Sequence, residues 1–284
     1  YPALIKHISG VGDRPGLFSE ITGALASIKQ VEMVDQNPIG KSSRSNPVTY
    51  IKAWDSVREL FSSQPLSKIR GYLPKHFSFN VDGGRCDTCK GEGEQIVEMQ
   101  FLADVRLTCE SCNGKKFKDE VLEVQYKGKN IFEILELSVD EAIEFFKDEK
   151  DISTRLKPLS DVGLGYVKLG QSSGTLSGGE AQRVKLASFL GRGKNNTDKI
   201  MFIFDEPTTG LHFNDIKKLL TSFNALIDQG HTILVIEHNT DVIKAADWII
   251  ELGPEAGENG GALVYTGTPT DLKKSKESRT APFL

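Results

Sequence analysis

Two apolar runs in the second half of the chain limit its fold more than any other feature. IMFIFD (200–205) and HTILVIEH (231–238) are nearly continuous in aliphatic, β-branched and aromatic residues. Such runs suit strands buried on both faces of a parallel sheet, where neither face needs a polar position. Residues 214–227 between them carry helical periodicity, so the segment reads as a strand–helix–strand unit of an α/β fold. Upstream, an apolar helical pattern leads into a further strand candidate, VEMVDQ (31–36), which ends on Asp35 and Gln36.

The C-terminal edge of a parallel sheet is where open α/β folds bind ligands. FIFDEP (202–207) leaves Asp205 and Glu206 at that edge, and VIEH (235–238) leaves His238 there. Asp205 is suited to hold Mg2+ through water, and Glu206 to polarise an attacking water. Taken singly, Asp-Glu-Pro is a strand-ending turn and a lone histidine is more often structural. TLSGGEAQRVKLA (175–187) adds a Ser-Gly-Gly turn opening a helix. Its N–H groups and partial positive charge suit an anion, although an ordinary glycine-capped helix looks the same in isolation.

The four cysteines form two C-x-x-C pairs, Cys86/Cys89 and Cys109/Cys112, nineteen residues apart. Each pair suits a tight knuckle, and two knuckles give the four thiolates of a structural Zn2+ site with no open position. Gly83, Gly84, Gly91, Gly93 and Gly114 permit the turns that knuckles need. Two redox or free-thiol pairs are the other reading. CDTCKGEG also resembles the C-x-x-C-x-G-x-G repeat of DnaJ-type chaperones, but CESCNGKK departs from it after one glycine.

The chain has 284 residues and a net charge of −4, so overall charge does not advertise nucleic acid. Residues 41–90 differ, with nine Lys/Arg against four Asp/Glu. Bare cysteine pairs and the absence of a signal peptide or membrane-length apolar run point to a reducing cytoplasm and no membrane partner. A start at Tyr1 suggests an excised piece of something longer. Helices are expected over 54–62 and 139–149, and VLEVQY (121–126) with its Lys-Gly turn reads as a hairpin strand. The polar tail after Asp271 is expected to fray.

DQNPIGKSSRSNP (35–47) contains Gly40-Lys41-Ser42, the ending of a phosphate-binding P-loop. The first glycine of that motif would have to stand at Asp35, and a carboxylate with Pro38 spoils the anion nest. The stretch is therefore not a Walker A loop.

LSGGE, DEP, TTGLH (208–212) and His238 occur in an order and strand context that resemble an ABC-type ATPase. The resemblance implies a signature motif, a Walker B with catalytic Glu206, a D-loop and an H-loop, with Gln36 as the Q-loop residue. Ser177 and Gly179, with Gly178 and Glu180 of the same motif, would meet the γ-phosphate of ATP held by an opposing domain, and His238 that on its own side.

About 140 residues separate Gln36 from the signature. VDQNPIGKSSRSNPVTY, RGYLPKHFSFNVDGGRCDTCKGEG, GKNIFEILELSVDEAIEFF and VIEHNTDVIKAADWIIELGPEAG closely resemble the UvrA family of bacterial nucleotide excision repair, in its second ABC module. The implied fold is α/β: a P-loop NTPase-like ABC ATPase core with an inserted α+β signature domain carrying a four-cysteine zinc knuckle. Residues 1–36 would be core ending at the Q-loop, 37–155 the insertion, and 156–284 core again. Residues 1–30 are expected to be a variable connector.

The implied cofactors are Zn2+, ATP and Mg2+. The implied partners are duplex DNA, UvrB and a second copy in a homodimer. Without Walker A the chain alone is expected not to hydrolyse ATP. Lys41, Arg44, Arg58, Lys115 and Lys116 are the expected phosphate contacts, each otherwise a solvated surface cation. Asp82 departs from the basic residue expected there. An ABC transporter nucleotide domain, a zinc-dependent chaperone module and a drug-resistance paralogue remain alternatives.

Overall fold

A computed structural model describes residues 1–40, 44–97, 99, 105–191, 198–253 and 260–284. Among them the strands run β1 (Gln30–Val34), β2 (Glu94–Val97), β3 (Val105–Thr108), β4 (Gln125–Tyr126), β5 (Lys129–Asn130), β6 (Ile200–Asp205), β7 (Thr232–Ile236), β8 (Ile249–Gly253) and β9 (Ala262–Gly267). Contacts group the chain into two compact units, residues 1–35 with 194–284, and residues 36–193. Residues 156–193, which the resemblance assigns to the core, group with the insertion.

In the first unit β1, β6 and β7 form a parallel sheet with β6 in the middle. The central strand is buried on both faces, through Ile200, Phe202, Ile203 and Phe204. The helix Phe213–Asp228 covers one face with Ile216, Leu219, Phe223 and Leu226, spaced along one helical stripe. Its Phe223 ring lies 4.7 Å from that of Phe204. The second apolar run is not buried on both faces. β7 is an edge strand, and Leu234 and Ile236 are exposed, because no described strand or helix covers that side.

His231 closes the start of the sheet. Its Nδ1 accepts the Ile200 N–H at 3.2 Å, and its ring meets Phe202 edge-on at 5.5 Å. Burial lowers its pKa. A depressed folded-state pKa means that the unfolded chain binds the proton more readily, so this contribution to stability is lost as pH falls below about 6.5. Urea midpoints measured from pH 7.5 to 5.5 should fall, and His231→Gln should flatten that part of the slope. An equally steep slope in the variant would remove His231 as its source.

The tail does not fray. Leu272 is fully buried, and Thr280 donates from N and Oγ1 to Glu251 Oε1 at 3.1 and 2.8 Å. Burial alone would raise the Glu251 carboxyl, but donors from Ser278, Thr280 and Arg279 hold it below its ordinary range. Tertiary hydrogen bonds thus order a segment whose composition is that of a loose end.

The second unit is built round aromatic rings. Helix Ala53–Ser62 buries Trp54, Val57 and Phe61. Trp54 contacts Phe79 at 5.8 Å, Phe61 contacts Phe77 at 5.6 Å, and Phe79 contacts Phe117 at 6.5 Å. The helix Lys150–Asp161 adds Ile152, Leu156 and Leu159 to the buried set. Helix Val139–Phe145 starts at a reciprocal Ser138/Glu141 capping box. The expected strand over 121–126 forms only in part. Residues Asp119–Leu122 are helical, burying Val121 and Leu122, and the hairpin is the two-residue β4–β5 ladder. Its turn places Lys127 and Gly128 at φ 47° and 78°, as a two-residue hairpin with right-handed twist requires.

Candidate metal centre and nucleotide-binding motifs

The two knuckles converge within the second unit. The nineteen-residue spacer pairs β2 with β3 in antiparallel register, and the Cys109 N–H donates to Gly93 O at 2.9 Å. This brings all four sulfurs within 4.8 Å of one another and buries them. Cys86 Sγ lies 4.0 Å from Cys109 Sγ, and Cys89 Sγ 3.7 Å from Cys112 Sγ. A tetrahedron with Zn–S bonds of about 2.3 Å has edges of about 3.8 Å, so donor chemistry and spacing both fit Zn2+. Burial pushes the Cys112 thiol up to about 12. Burial also opposes ionisation of Cys109, but N–H donors at Cys112 and Ser111 and the neighbouring thiols bring it down to about 7.

Residues outside the cysteines hold the knuckles. Cys86 N–H donates to Lys116 O at 2.8 Å, and Lys118 N–H to Gly84 O at 2.9 Å. The knuckle tips join through Thr88 Oγ1 and Ser111 Oγ at 2.8 Å. Arg85 donates to the carbonyls of Asn80 and Lys90 and pairs with Asp82. The acidic Asp82 is thus neutralised by its own loop. Arg85 and the Thr88/Ser111 pair escaped sequence reasoning, since their partners lie across turns that periodicity does not register.

The expected DNA-contact cations are placed differently from one another. Lys41 lies outside the described residues. Arg44 Nε stands 3.7 Å from Glu92 Oε1, and Nη1 reaches Lys90 O at 3.5 Å. Arg58 pairs with Asp55 one turn earlier on its helix. Lys115 is exposed. Lys116 turns inward, its ammonium 5.9 Å from the centre of the Phe79 ring, and lines a cavity of about 430 Å³ with Arg44, Arg106, Glu136 and Lys168. Burial lowers its pKa against the pull of Glu136 and Glu94.

The signature turn opens the helix Gly178–Leu190. Ser177 is its N-cap, accepting from Glu180 N–H at 3.2 Å, while Glu180 Oε2 accepts from Ser177 N–H at 2.8 Å. Burial would raise the Glu180 carboxyl, but the Tyr166 hydroxyl and the Ser177 N–H outweigh it and lower its pKa. Ser177 is exposed and Gly179 buried. A Cβ on Gly178 would stand 2.9 Å from Cβ and Oε1 of Gln36, so the glycine admits the side chain of the expected Q-loop residue.

In the first unit the parallel register sets Asp205 beside Ile236. Asp205 and Glu206 are both exposed at the strand end. Glu206 Oε1 lies 3.7 Å from His238 Nε2, so carboxylate and imidazole share one sheet edge. Glu237 escaped sequence reasoning. Its Oε1 accepts from Thr208 N–H at 2.8 Å, and its Oε2 from the N–H groups of His238 and Asn239 at 2.9 and 3.0 Å. A carboxylate at a strand's C-terminal end was the available signal.

No helix among the described residues is long and apolar enough to cross a membrane. No family model matches the chain. UvrABC system protein A of Clostridium perfringens (strain 13 / Type A) is 51% identical over 284 residues, all of this chain and 30% of that protein. The Aquifex aeolicus (strain VF5) protein of that name is 52% identical over 279 residues, 98% of this chain and 30% of that protein. The crystal structure of UvrA2 from Deinococcus radiodurans superposes with a TM-score of 0.86 at 47% identity, covering 93% of this chain and 32% of that one.

The Clostridium match runs through residues 1–30 as well, the stretch expected to diverge. These relatives do not favour the transporter, chaperone or drug-resistance readings. The chain spans just under a third of the length of the curated relatives it matches. In sequence along its whole length, and in fold over 93% of it, the chain matches a part of UvrA-family proteins.

Proposed function

We propose that this chain supplies most of the second ATPase module and the zinc-braced DNA-facing insertion of a damage-recognition protein in nucleotide excision repair. The likeness to UvrABC system protein A across all 284 residues carries the reading. In it, residues 1–36 and 156–284 serve the ATPase core, and 37–155 the signature domain. The whole protein hydrolyses ATP in the cytoplasm as a homodimer, senses lesions in duplex DNA and delivers UvrB to them.

Each motif then has a task. Asp205 holds Mg2+, which neutralises phosphate charge when bound with ATP. Glu206 orients and polarises water, and His238 beside it contacts the γ-phosphate. Gln36 senses nucleotide at the entrance to the insertion. Ser177, Gly178, Gly179 and the Glu180-locked helix start present N–H groups to the phosphate of an opposing domain. The exposed apolar Leu234 and Ile236 of β7 and Ile250 and Leu252 of β8 suit burial against further core elements. This chain alone, with no G-x-x-x-x-G-K-[ST] sequence, does not turn ATP over. Zn2+ on Cys86, Cys89, Cys109 and Cys112 braces the surface on which Lys41, Arg44, Arg58 and Lys115 meet phosphates, while the inward-turned Lys116 is the weakest of the expected contacts.

The test is binding of the zinc-loaded chain to duplex DNA, intact and lesion-bearing, across a salt series. About four or five phosphate contacts give a slope near −4 in log K against log salt, and Lys115→Ala should reduce it by about one. Tighter binding of the lesion duplex places damage sensing in these residues. Absence of salt-sensitive binding at low ionic strength would defeat the DNA-contact reading.

A further inference from the structure

We propose that Glu237 is a positioning residue for nucleotide hydrolysis, the clamp that holds the Glu206 loop against the His238 loop. The inference rests on the ATPase reading above for its function and on hydrogen-bond geometry for its structure. Two loops leave adjacent parallel strands at the sheet edge, one carrying Glu206 and the other His238. Parallel strands register each other only as far as their ladder extends, and this ladder ends at Asp205 and Ile236. Beyond it, Glu206 N–H donates to Ile236 O at 2.9 Å. A further tie between the loops, beside the Glu206–His238 contact, is the Glu237 carboxylate. One oxygen takes the Thr208 N–H, two residues past Glu206, and the other takes the N–H groups of His238 and Asn239.

The loop it grips needs restraint. Glu206 has φ 44°, a conformation uncommon for a residue with a side chain, and the proline after it restricts it further. Such a backbone persists where its surroundings over-determine it. Here Thr209 N–H closes the turn onto Glu206 O at 3.1 Å, and Glu237 fastens Thr208 within it. A carboxylate suits this task because it offers acceptors only, on two oxygens facing opposite loops. Asn239 extends the tie by capping the helix Thr240–Ala245 through Asp241 and Val242 N–H. Movement of His238 toward a phosphate is thereby passed to Thr208, the first residue of the D-loop, and to the Glu206 carboxylate.

Glu237→Gln keeps the size but puts an NH2 group where an acceptor was, so one loop loses its partner. Glu237→Asp is one methylene short of spanning both loops. The decisive measurement is steady-state ATP hydrolysis by a polypeptide of the relatives' full length carrying these 284 residues, as parent, Glu206→Gln and Glu237→Gln. Backbone amide exchange is followed in each.

Turnover by the parent, abolished in Glu206→Gln, is expected. In Glu237→Gln kcat should fall about tenfold to a hundredfold with KM within about twofold. Exchange should quicken at Thr208 or at His238 and Asn239, while β6 stays protected. An unchanged kcat, unchanged exchange at all three amides, or loss of protection throughout β6 overturns the proposal. A parent without turnover sinks the ATPase reading instead. The clamp is then judged on exchange alone, and unaltered protection at those amides would sink it too.

Discussion

Removal of metal from the zinc-loaded chain should melt the segment from Cys86 to Lys118, and Cys109→Ala should do the same. Beyond Phe117, which packs against Phe79, the buried apolar side chains among its described residues are the cysteines. Every residue of β3 is exposed, and Val105 and Leu107 lie in solvent. An isolated two-stranded hairpin is marginal by itself in water. The cysteines form their own buried cluster, and binding free energy at a structural zinc site, about 10–16 kcal/mol in zinc-finger peptides, is folding free energy. The check is amide exchange before and after chelation, with zinc counted in both samples. Protection that survives at Cys86, Cys109 and Lys118 after the metal has gone would show that packing alone holds the knuckles.

Gly91→Ala should destabilise the chain by more than about 3 kcal/mol, a penalty reserved for a few mechanisms including severe backbone strain. Gly91 has φ 88°, and a Cβ there would stand 2.0 Å from Phe79 O and 2.9 Å from Phe79 C. The obstacle is backbone, so no rotamer change relieves it, and moving Phe79 disturbs the rings of Trp54 and Phe117 packed against it. Gly128 provides the comparison. Its φ is 78°, but nothing lies within 4 Å of its Cβ position. Gly128→Ala should therefore cost only the left-handed conformation, about 1–2 kcal/mol. Urea denaturation of the two variants separates the effects. If they unfold at the same midpoint, the close approach of the knuckle to Phe79 is not what requires Gly91.

What the sequence determined by itself is local. Four cysteines at metal-binding spacing, a Ser-Gly-Gly-Glu cap, and apolar runs flanking a helical stripe each encode their geometry within a few residues, so they were legible. The convergence of Asp205, Glu206 and His238 was legible too, because parallel register carries strand ends to a common edge.

Tertiary structure decided the rest. Lys115 and Lys116 are adjacent in sequence, yet one is in solvent and the other lines a cavity. VLEVQY has strand propensity, but burial of Val121 and Leu122 closes a helical turn in its first half. β7 reads like β6, yet of the two only β6, with neighbours on both sides, is buried on both faces. The polar tail is ordered by Glu251, about thirty residues before it. Glu237 owes its three hydrogen bonds to the way two loops meet. Periodicity and spacing report what a residue does within its own turn or strand. Burial, ion-pair partners and loop-to-loop ties depend on groups brought close only when distant parts of the chain pack.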